Sequence, residues 1–265
     1  MKLRTLFATL AIVTLVSGVA YAASRFSATA SEFDPGNTFL VQAQWLDGIG
    51  CPTNGRIATA NADFTGVSGT APYSDTGCPT GDSSDSHNQG LLLAKTGPSV
   101  ANFAAAQADI NGVRGIHLTE LGYDVRKPRT FADPSGSQCG AGAPRFDVIT
   151  TDNVDHFVGC VSPPPAQTAA GLGFVRLRWT AVQLAAAFPP ILPADTVKSI
   201  TIIFDEGQDV APWNFGLAVL DNIDINGTLI GQGDNAGKND GKKDKNKDKG
   251  DKDDNGDDND GHGDD

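Results

Sequence analysis

An acidic loop near the end of the apolar part of the chain holds the residues best suited to chemistry. The segment Asp205-Glu206-Gly207-Gln208-Asp209 places three carboxylates within five residues, between two apolar runs. Hard cations such as Ca²⁺ take several oxygen ligands. The sequence therefore predicts a structural calcium site with Glu206 and Asp221 as metal ligands and Asp205 and Asp209 as further oxygen donors. The alternative is a solvated turn, with Asp221 hydrogen-bonded to backbone amides.

The tryptophan that follows this loop suggests a second kind of contact. Trp213 lies in Ala211-Pro212-Trp213-Asn214-Phe215, between two strand-like segments. A tryptophan exposed on a loop offers an apolar face and a polar N–H, which suits stacking on a sugar ring. Trp213, Asp205 and Asp209 are therefore the predicted ligand-binding residues. The alternative is a ring folded back over the end of the domain, because large rings are usually buried.

Two strands must position this loop, Val197 to Phe204 before it and Leu217 to Ile225 after it. Side chains alternate between the two faces of a strand. Strict alternation places five residues of the second strand on one face, namely Leu217, Val219, Asp221, Ile223 and Ile225. An aspartate in such an apolar row needs a partner. The Asn226-Gly227 pair that follows is a strong signal for a type I′ hairpin turn.

Further runs of alternating residues predict an all-β domain. Strand patterns cover residues 37–46, 91–94, 116–126, 146–150 and 172–179, and residues 101–113 fit either a helix or a strand that ends in a hairpin turn. Residues 180–188 predict one short helix, ended by Pro189-Pro190. Residues 50–90 are rich in Gly, Ser, Thr, Asp and Pro and predict long loops. The pattern indicates a β-sandwich of jelly-roll type.

Four cysteines lie in the part of the chain that is predicted to fold: Cys51, Cys78, Cys139 and Cys160. An even number in an exported protein favours disulfides. Three pairings are possible. We expect Cys51–Cys78 and Cys139–Cys160, because each of these pairs brackets a segment that resembles a loop.

Both ends of the chain differ from the middle. Lys2 and Arg4 precede an apolar run and an Ala20-Tyr21-Ala22 sequence, a pattern typical of a secretory signal peptide. The sequence therefore predicts a signal peptide at 1–22, a β-sandwich at 23–230 and a disordered tail at 231–265. The apolar run is too short to span a bilayer, so we expect a secreted, periplasmic or extracellular protein without a transmembrane segment.

The charge of the chain argues against nucleic acid as a partner. The formal net charge is −12, and the tail contributes 12 Asp and 7 Lys, which leaves the folded part acidic as well. Phosphate contacts need a positive surface, which this composition does not supply.

The closing strands resemble those of exported bacterial jelly-roll domains. The resemblance rests on Phe204-Asp205-Glu206-Gly207 at the end of one strand and on Leu220-Asp221-Asn222-Ile223 in the next. It points to carbohydrate-binding modules and galactose-binding-like sandwiches. In such families the aspartate of the last strand often binds a structural calcium. The resemblance thus implies a calcium ligand role for Asp221, with Glu32 or Asp34 as co-ligands.

The leading hypothesis is a secreted, non-catalytic sandwich that binds an extracellular carbohydrate or a cell-surface polymer. One alternative is a polysaccharide hydrolase, which needs two carboxyl groups across a cleft. Glu120 with Asp124 and Glu206 with Asp209 are the candidate pairs, but the spacing selects neither. No nucleophile elbow and no zinc-protease motif is present in the sequence. The other alternative is a structural or matrix protein that associates through its tail.

Overall fold

The computed structural model describes residues 26–51, 56–60, 67–72, 78, 81–82, 84–97, 103–128, 138–140, 142–205 and 215–234. The predicted signal peptide lies outside the described residues. So do Glu206, Asp209, Trp213 and residues 235–265 of the predicted tail.

Two antiparallel sheets form a sandwich, which confirms the predicted fold class. The five-stranded sheet has the order β1-β6-β12-β8-β9. Its strands are β1 Ser27–Phe33, β6 Ala105–Asn111, β12 Val197–Phe204, β8 Arg145–Thr150 and β9 Asp155–Val158. Residues 101–113 thus contain a strand that ends at Asn111, and Gly112 lies in the turn that follows.

The second sheet has seven strands in the order β10-β11-β7-β13-β5-β2, with β14 paired to β13. Its strands are β2 Val41–Leu46, β5 Gly90–Lys95, β7 Glu120–Arg126, β10 Ala166–Ala169, β11 Val175–Thr180, β13 Gly216–Ile225 and β14 Thr228–Ile230. The chain passes back and forth between the sheets, as in a jelly roll. The predicted type I′ turn joins β13 to β14, with positive φ at Asn226 and Gly227.

The core between the sheets is built by the inward-facing residues of both. Tyr123, Phe146 and Trp179 are fully buried, and their ring centroids lie 5.5 to 5.8 Å apart. The polar atoms of two of these rings are also satisfied: Tyr123 donates to the carbonyl of Pro144 at 2.5 Å and Trp179 to that of Pro163 at 2.8 Å. The alternation in the sequence therefore identifies most of this core.

Both predicted disulfides are present, Cys51–Cys78 and Cys139–Cys160. The segment between the first two cysteines is more regular than predicted. It contains β3 Arg56–Ala60 and β4 Val67–Pro72, which pair as a separate antiparallel hairpin. The prediction of loops throughout residues 50–90 is therefore wrong for these two strands.

The single described α-helix is shorter than predicted. It spans Ala181–Leu184, and the side chain of Gln183 accepts a hydrogen bond from the Thr180 N–H at 2.8 Å. Another local prediction fails at Phe39, which the alternation of residues 37–46 placed on an apolar strand face. The strand begins only at Val41, and Phe39 is 88% exposed in the preceding loop.

The sandwich has two ends, which are defined by the strands that begin and finish there. At the end that we call the upper end, β1, β7 and β12 finish and β2, β8 and β13 begin. At the opposite, lower end lie Phe26 and the segment 231–234, in which Gly233 forms a bridge with Ala28. The compact unit ends at Asp234. The described part of the sandwich thus begins and ends, at Phe26 and Asp234, on the side away from the upper end.

Candidate functional site

An open pocket lies at the upper end, beside the Cys139–Cys160 disulfide. Its volume is about 210 Å³, and it is lined by Arg145, Phe157, Val161, Ser162 and Asp205 together with small residues of the neighbouring loops. Arg145 begins β8, Phe157 belongs to β9, and Asp205 follows the last residue of β12. The pairing of β8 with both other strands brings these three side chains together.

Arg145 organises the polar side of the pocket. Its terminal nitrogens donate to both carboxylate oxygens of Asp205, at 2.6 and 2.8 Å, and its Nε donates to Asp147 at 3.0 Å. Burial opposes the positive charge, but the bonds to Asp205 and Asp147 outweigh it, so the pKa of Arg145 is raised. The pair with Asp205 is a bidentate, charge-assisted one, which fixes both groups geometrically.

Apolar groups form the other side of the pocket. Phe157 is 40% exposed, and the guanidinium of Arg145 lies 5.9 Å from the centre of its ring. The backbone N–H of Phe157 donates to the carbonyl of Phe188 at 3.0 Å, which places the exposed Phe188 beside β9. Val161, also exposed, lines the pocket. An aromatic ring and a charged pair therefore border one solvent-accessible space.

The outer face of the five-stranded sheet adjoins the pocket, because Arg145 and Phe157 belong to both. Asp147 and Asp109 flank Thr201 on this face, as the strand register requires. Thr201 donates to Asp109 at 3.0 Å. Burial, together with the charges of Asp155 and Asp205, raises the pKa of Asp147 to about 6, although Arg145 acts in the opposite direction. The face is thus rich in carboxylates around one guanidinium.

The predicted site residues are only partly brought together. Asp205 lies in the pocket, bound to Arg145. Glu206, Asp209 and Trp213 lie outside the described residues. Asp221 lies on the other sheet. Arg145, Asp147 and Phe157 were not predicted as site residues, although the alternation of Arg145–Thr150 already placed Arg145 and Asp147 opposite the apolar Phe146 and Val148.

Asp221 fastens a loop to the outer face of the seven-stranded sheet. It is 1% exposed, and its two oxygens accept hydrogen bonds from the backbone N–H groups of Cys51 and Asn222, both at 2.6 Å. The loop approaches closely, because a Cβ on Gly50 would lie 2.7 Å from Asp221 Oδ2 and 2.1 Å from the Gln89 carbonyl. These contacts match the alternative in which backbone amides satisfy Asp221.

The prediction that Asp221 shares a face with Ile223 and Ile225 is wrong. The register of β13 against β7 shifts between Asp221 and Asp224, and Asn222 adopts a φ of 47°. Such a bulge adds one residue to the strand and reverses the alternation beyond it. Val219 therefore packs outside, against the Cys51–Cys78 disulfide and Phe174, whereas Ile223 and Ile225 belong to the central core.

The proposed calcium ligands Glu32, Asp34 and Asp221 each bond to a different part of the chain, and no described hydrogen bond joins one of them to another. Glu32 accepts from the Ala43 N–H, and Asp34 accepts from Thr38 and the Phe39 N–H. In the part of the chain that the structure describes, no group of three or more His, Cys, Asp or Glu residues is arranged to hold a metal ion. Both oxygens of Asp221 accept hydrogen bonds from backbone amides, and its role as a calcium ligand stays a prediction. Calcium binding that involves Glu206 stays a prediction.

The proposed catalytic carboxyls Glu120 and Asp124 lie on the outer face of the seven-stranded sheet, each paired with an arginine. Arg178 donates to both oxygens of Glu120, and Arg176 Nε lies 3.2 Å from Asp124. Asp224 forms a carboxyl–carboxylate hydrogen bond with Glu120. Its pKa rises to about 6, first because it is buried and then because of Glu120. Two ion pairs thus account for both proposed groups.

This carboxyl pair leads to a prediction about stability and pH. A folded-state pKa above the unfolded value contributes stability that is lost as the pH rises through the folded pKa. Asp224 and the buried Asp85, whose pKa burial also raises to about 6, therefore make the protein more stable at pH 5 than at pH 8. Asp224→Asn, whose amide can donate to Glu120 without titrating, should raise the free energy of unfolding at pH 8 by about 1–2 kcal/mol.

Urea unfolding followed by circular dichroism at pH 5 and pH 8 measures this effect. Asp109→Asn, an exposed carboxylate on the other sheet, serves as the control and should change the stability at either pH by less than about 0.5 kcal/mol. If the free energy of unfolding of the unmodified protein does not change between pH 5 and pH 8, the carboxyl–carboxylate hydrogen bond between Asp224 and Glu120 is contradicted.

Comparisons of the chain with protein-family models, with curated proteins and with solved structures find no match. Among the described residues, no helix is long and apolar enough to cross a membrane. The two disulfides are typical of proteins from oxidising compartments.

Proposed function

We propose that this protein is an exported, non-catalytic β-sandwich that binds an extracellular carbohydrate or a cell-surface polymer at the upper-end pocket. The observation that carries the proposal is the meeting of the Phe157 ring with the Arg145–Asp205 pair around one open space. The proposal agrees with the predicted signal peptide and with the resemblance of the closing strands to carbohydrate-binding sandwiches.

The chemistry of the pocket suits a sugar better than a purely apolar ligand. A sugar hydroxyl both donates and accepts hydrogen bonds. Arg145 offers N–H donors directly beside the carboxylate oxygens of Asp205, and the side chain of Asp205 is 34% exposed. Adjacent hydroxyls can therefore bond to both partners at once. The ring of Phe157 supplies the apolar surface on which the C–H face of a sugar packs.

The hydrogen bonding of Asp147 and Asp205 favours binding over hydrolysis. A glycosidase needs one carboxyl group as an acid and a second as a nucleophile or base. Asp147 and Asp205 both bond to the same guanidinium, which holds them as a fixed polar surface. Release of reducing sugar from any bound polysaccharide would instead favour the hydrolase alternative.

Removal of the aromatic ring tests the proposal. Phe157→Ala should weaken binding to a retained polysaccharide about tenfold, because aromatic anchors in pockets contribute on this scale. Phe103→Ala is the matched control, since Phe103 is an exposed phenylalanine that does not line the pocket. The measurement is affinity electrophoresis over a panel of polysaccharides, followed by calorimetry with the best soluble oligosaccharide. Equal weakening by both substitutions, or no binding at all, would overturn the proposal.

A further inference from the structure

The charge arrangement around the pocket narrows the class of ligand. The outer face of the five-stranded sheet carries Asp147 on β8, Asp155 on β9, Asp205 after β12 and Asp109 on β6. Arg145 is bonded to Asp147 and to Asp205. Lys198, on β12, is bonded to the side-chain oxygen of Asn153, near the lower end. The pocket side of this face is therefore negative.

The geometry of Arg145 excludes the usual role of an arginine in a glycan site. An arginine that receives a uronate or a sulfate presents its two-pronged fork to the anion. Here the two terminal nitrogens already donate to Asp205, at 2.6 and 2.8 Å, and Nε donates to Asp147. An incoming anion would have to displace Asp205 and would meet two carboxylates. The fork is thus committed within the protein: its two remaining N–H groups can each donate to a neutral hydroxyl, but they cannot receive an anion in the two-pronged manner, and the carboxylates beside them are acceptors.

We infer, on the basis of the proposed function, that the pocket selects glycans that carry protonated amino groups. The ring of Phe157 holds the sugar, and the oxygens of Asp205 accept from its hydroxyls. The ammonium group lies towards Asp147 and Asp155. On the outer face these are the next residues after Arg145 and Phe157 in the direction of the lower end. A charge-assisted hydrogen bond from an ammonium to a carboxylate is stronger than the bond from a neutral hydroxyl in the same place.

Three oligosaccharides of equal length and linkage isolate the contribution of this group. Tetramers of β-1,4-linked glucosamine, N-acetylglucosamine and glucose differ only at the second carbon, which bears an ammonium, an acetamide or a hydroxyl. Calorimetry with the full exported chain should show that the glucosamine tetramer binds about fivefold more tightly than the glucose tetramer at low ionic strength. The difference should disappear in about 1 M salt, where the screening length is about 3 Å.

A pair of charge-matched variants separates the local effect from net charge. Asp155→Asn removes one carboxylate from the face and should reduce the preference for glucosamine about twofold or more. Asp195→Asn removes the same charge from a loop at the lower end, where Asp195 caps the Leu192 N–H, and should leave the preference unchanged.

The outcomes distinguish this inference from the proposed function. If the glucose tetramer binds as tightly as the glucosamine tetramer, the pocket still binds carbohydrate, but the selection for amino groups is overturned. The same holds if Asp155→Asn and Asp195→Asn have equal effects, since the preference would then follow net charge alone. If none of the three tetramers binds, the inference is overturned, and the panel of polysaccharides used to test the proposed function then decides whether the pocket binds carbohydrate at all.

Discussion

Replacing Asp221 with alanine is expected to lower the free energy of unfolding by about 3 kcal/mol, because two buried amides lose their acceptor. The N–H groups of Cys51 and Asn222 both belong to buried residues, and each donates to Asp221 at 2.6 Å. A buried donor without an acceptor costs about 1–3 kcal/mol. The substitution leaves two such donors at once.

The loss should be larger at pH 5 than at pH 8. Burial raises the pKa of Asp221 well above its usual value, against the effect of its amide donors, and the charges of Asp85 and Asp124 raise it further. A raised folded-state pKa means that the contribution of this group to stability decreases as the pH rises through that pKa. At pH 8, alanine also removes a source of repulsion, and this gain offsets part of the lost hydrogen bonding.

Urea unfolding of Asp221→Ala at both pH values measures the two effects. Asp155→Ala, an exposed aspartate on β9, is the control and should change stability by less than about 0.5 kcal/mol. A loss below about 1 kcal/mol at pH 5 would show that water or a shifted loop satisfies the freed amides. The fastening role of Asp221 would then be rejected.

Strand alternation predicts the sandwich because one face of nearly every strand is apolar. The row Val175, Leu177 and Trp179 of β11 is the clearest instance, since Leu177 and Trp179 are fully buried. The same rule fails on β13, because the bulge at Asn222 cannot be read from periodicity. Asparagine tolerates a positive φ more readily than most residues. An Asp-Asn pair in the middle of a strand is therefore a weak signal for such a bulge.

The pocket could be predicted only in part, for a different reason. The outward orientation of Arg145 and Asp147 follows from the local pattern of β8. The meeting of Arg145 with Asp205 and Phe157 depends on β8 lying between β12 and β9, and this pairing spans 60 residues between Arg145 and Asp205. Nothing local specifies which strands are neighbours. The sequence prediction therefore selected Asp205 but gave it no partner.

The hairpin of β3 and β4 was missed because its composition resembles that of a loop. Its strands, RIATA and VSGTAP, are short and contain Ala, Ser, Gly and Pro, which are not typical of buried strands. Among the described strands, the two pair only with each other. The disulfide that brackets the hairpin was predictable from the cysteine count, whereas the pairing inside it was not.

Removing the Cys51–Cys78 disulfide should produce the second large effect. The two cysteines are 27 residues apart, so the chain-entropy model predicts a loss of about 3–4 kcal/mol for the double substitution Cys51→Ser and Cys78→Ser. Both sulfurs are also buried against Phe174 and Val219, and this packing is weakened by serine. The control is the double substitution Cys139→Ser and Cys160→Ser. The disulfide that it removes closes a loop of similar length, 21 residues, and joins half-buried cysteines. The first pair should cost more than the second.

Combining the two large perturbations tests whether they act on the same loop. In the protein with the disulfide, the Cys51 N–H is held close to Asp221 and cannot form a hydrogen bond with water instead. Without the disulfide, the loop that begins at Gly50 can move away and hydrate that N–H. Asp221→Ala should therefore cost at least about 1 kcal/mol less in the double-serine background than in the unmodified protein, because residues that share a partner are not additive. If the two losses add within about 0.3 kcal/mol, Asp221 stabilises its own strand through Asn222 rather than the loop through Cys51.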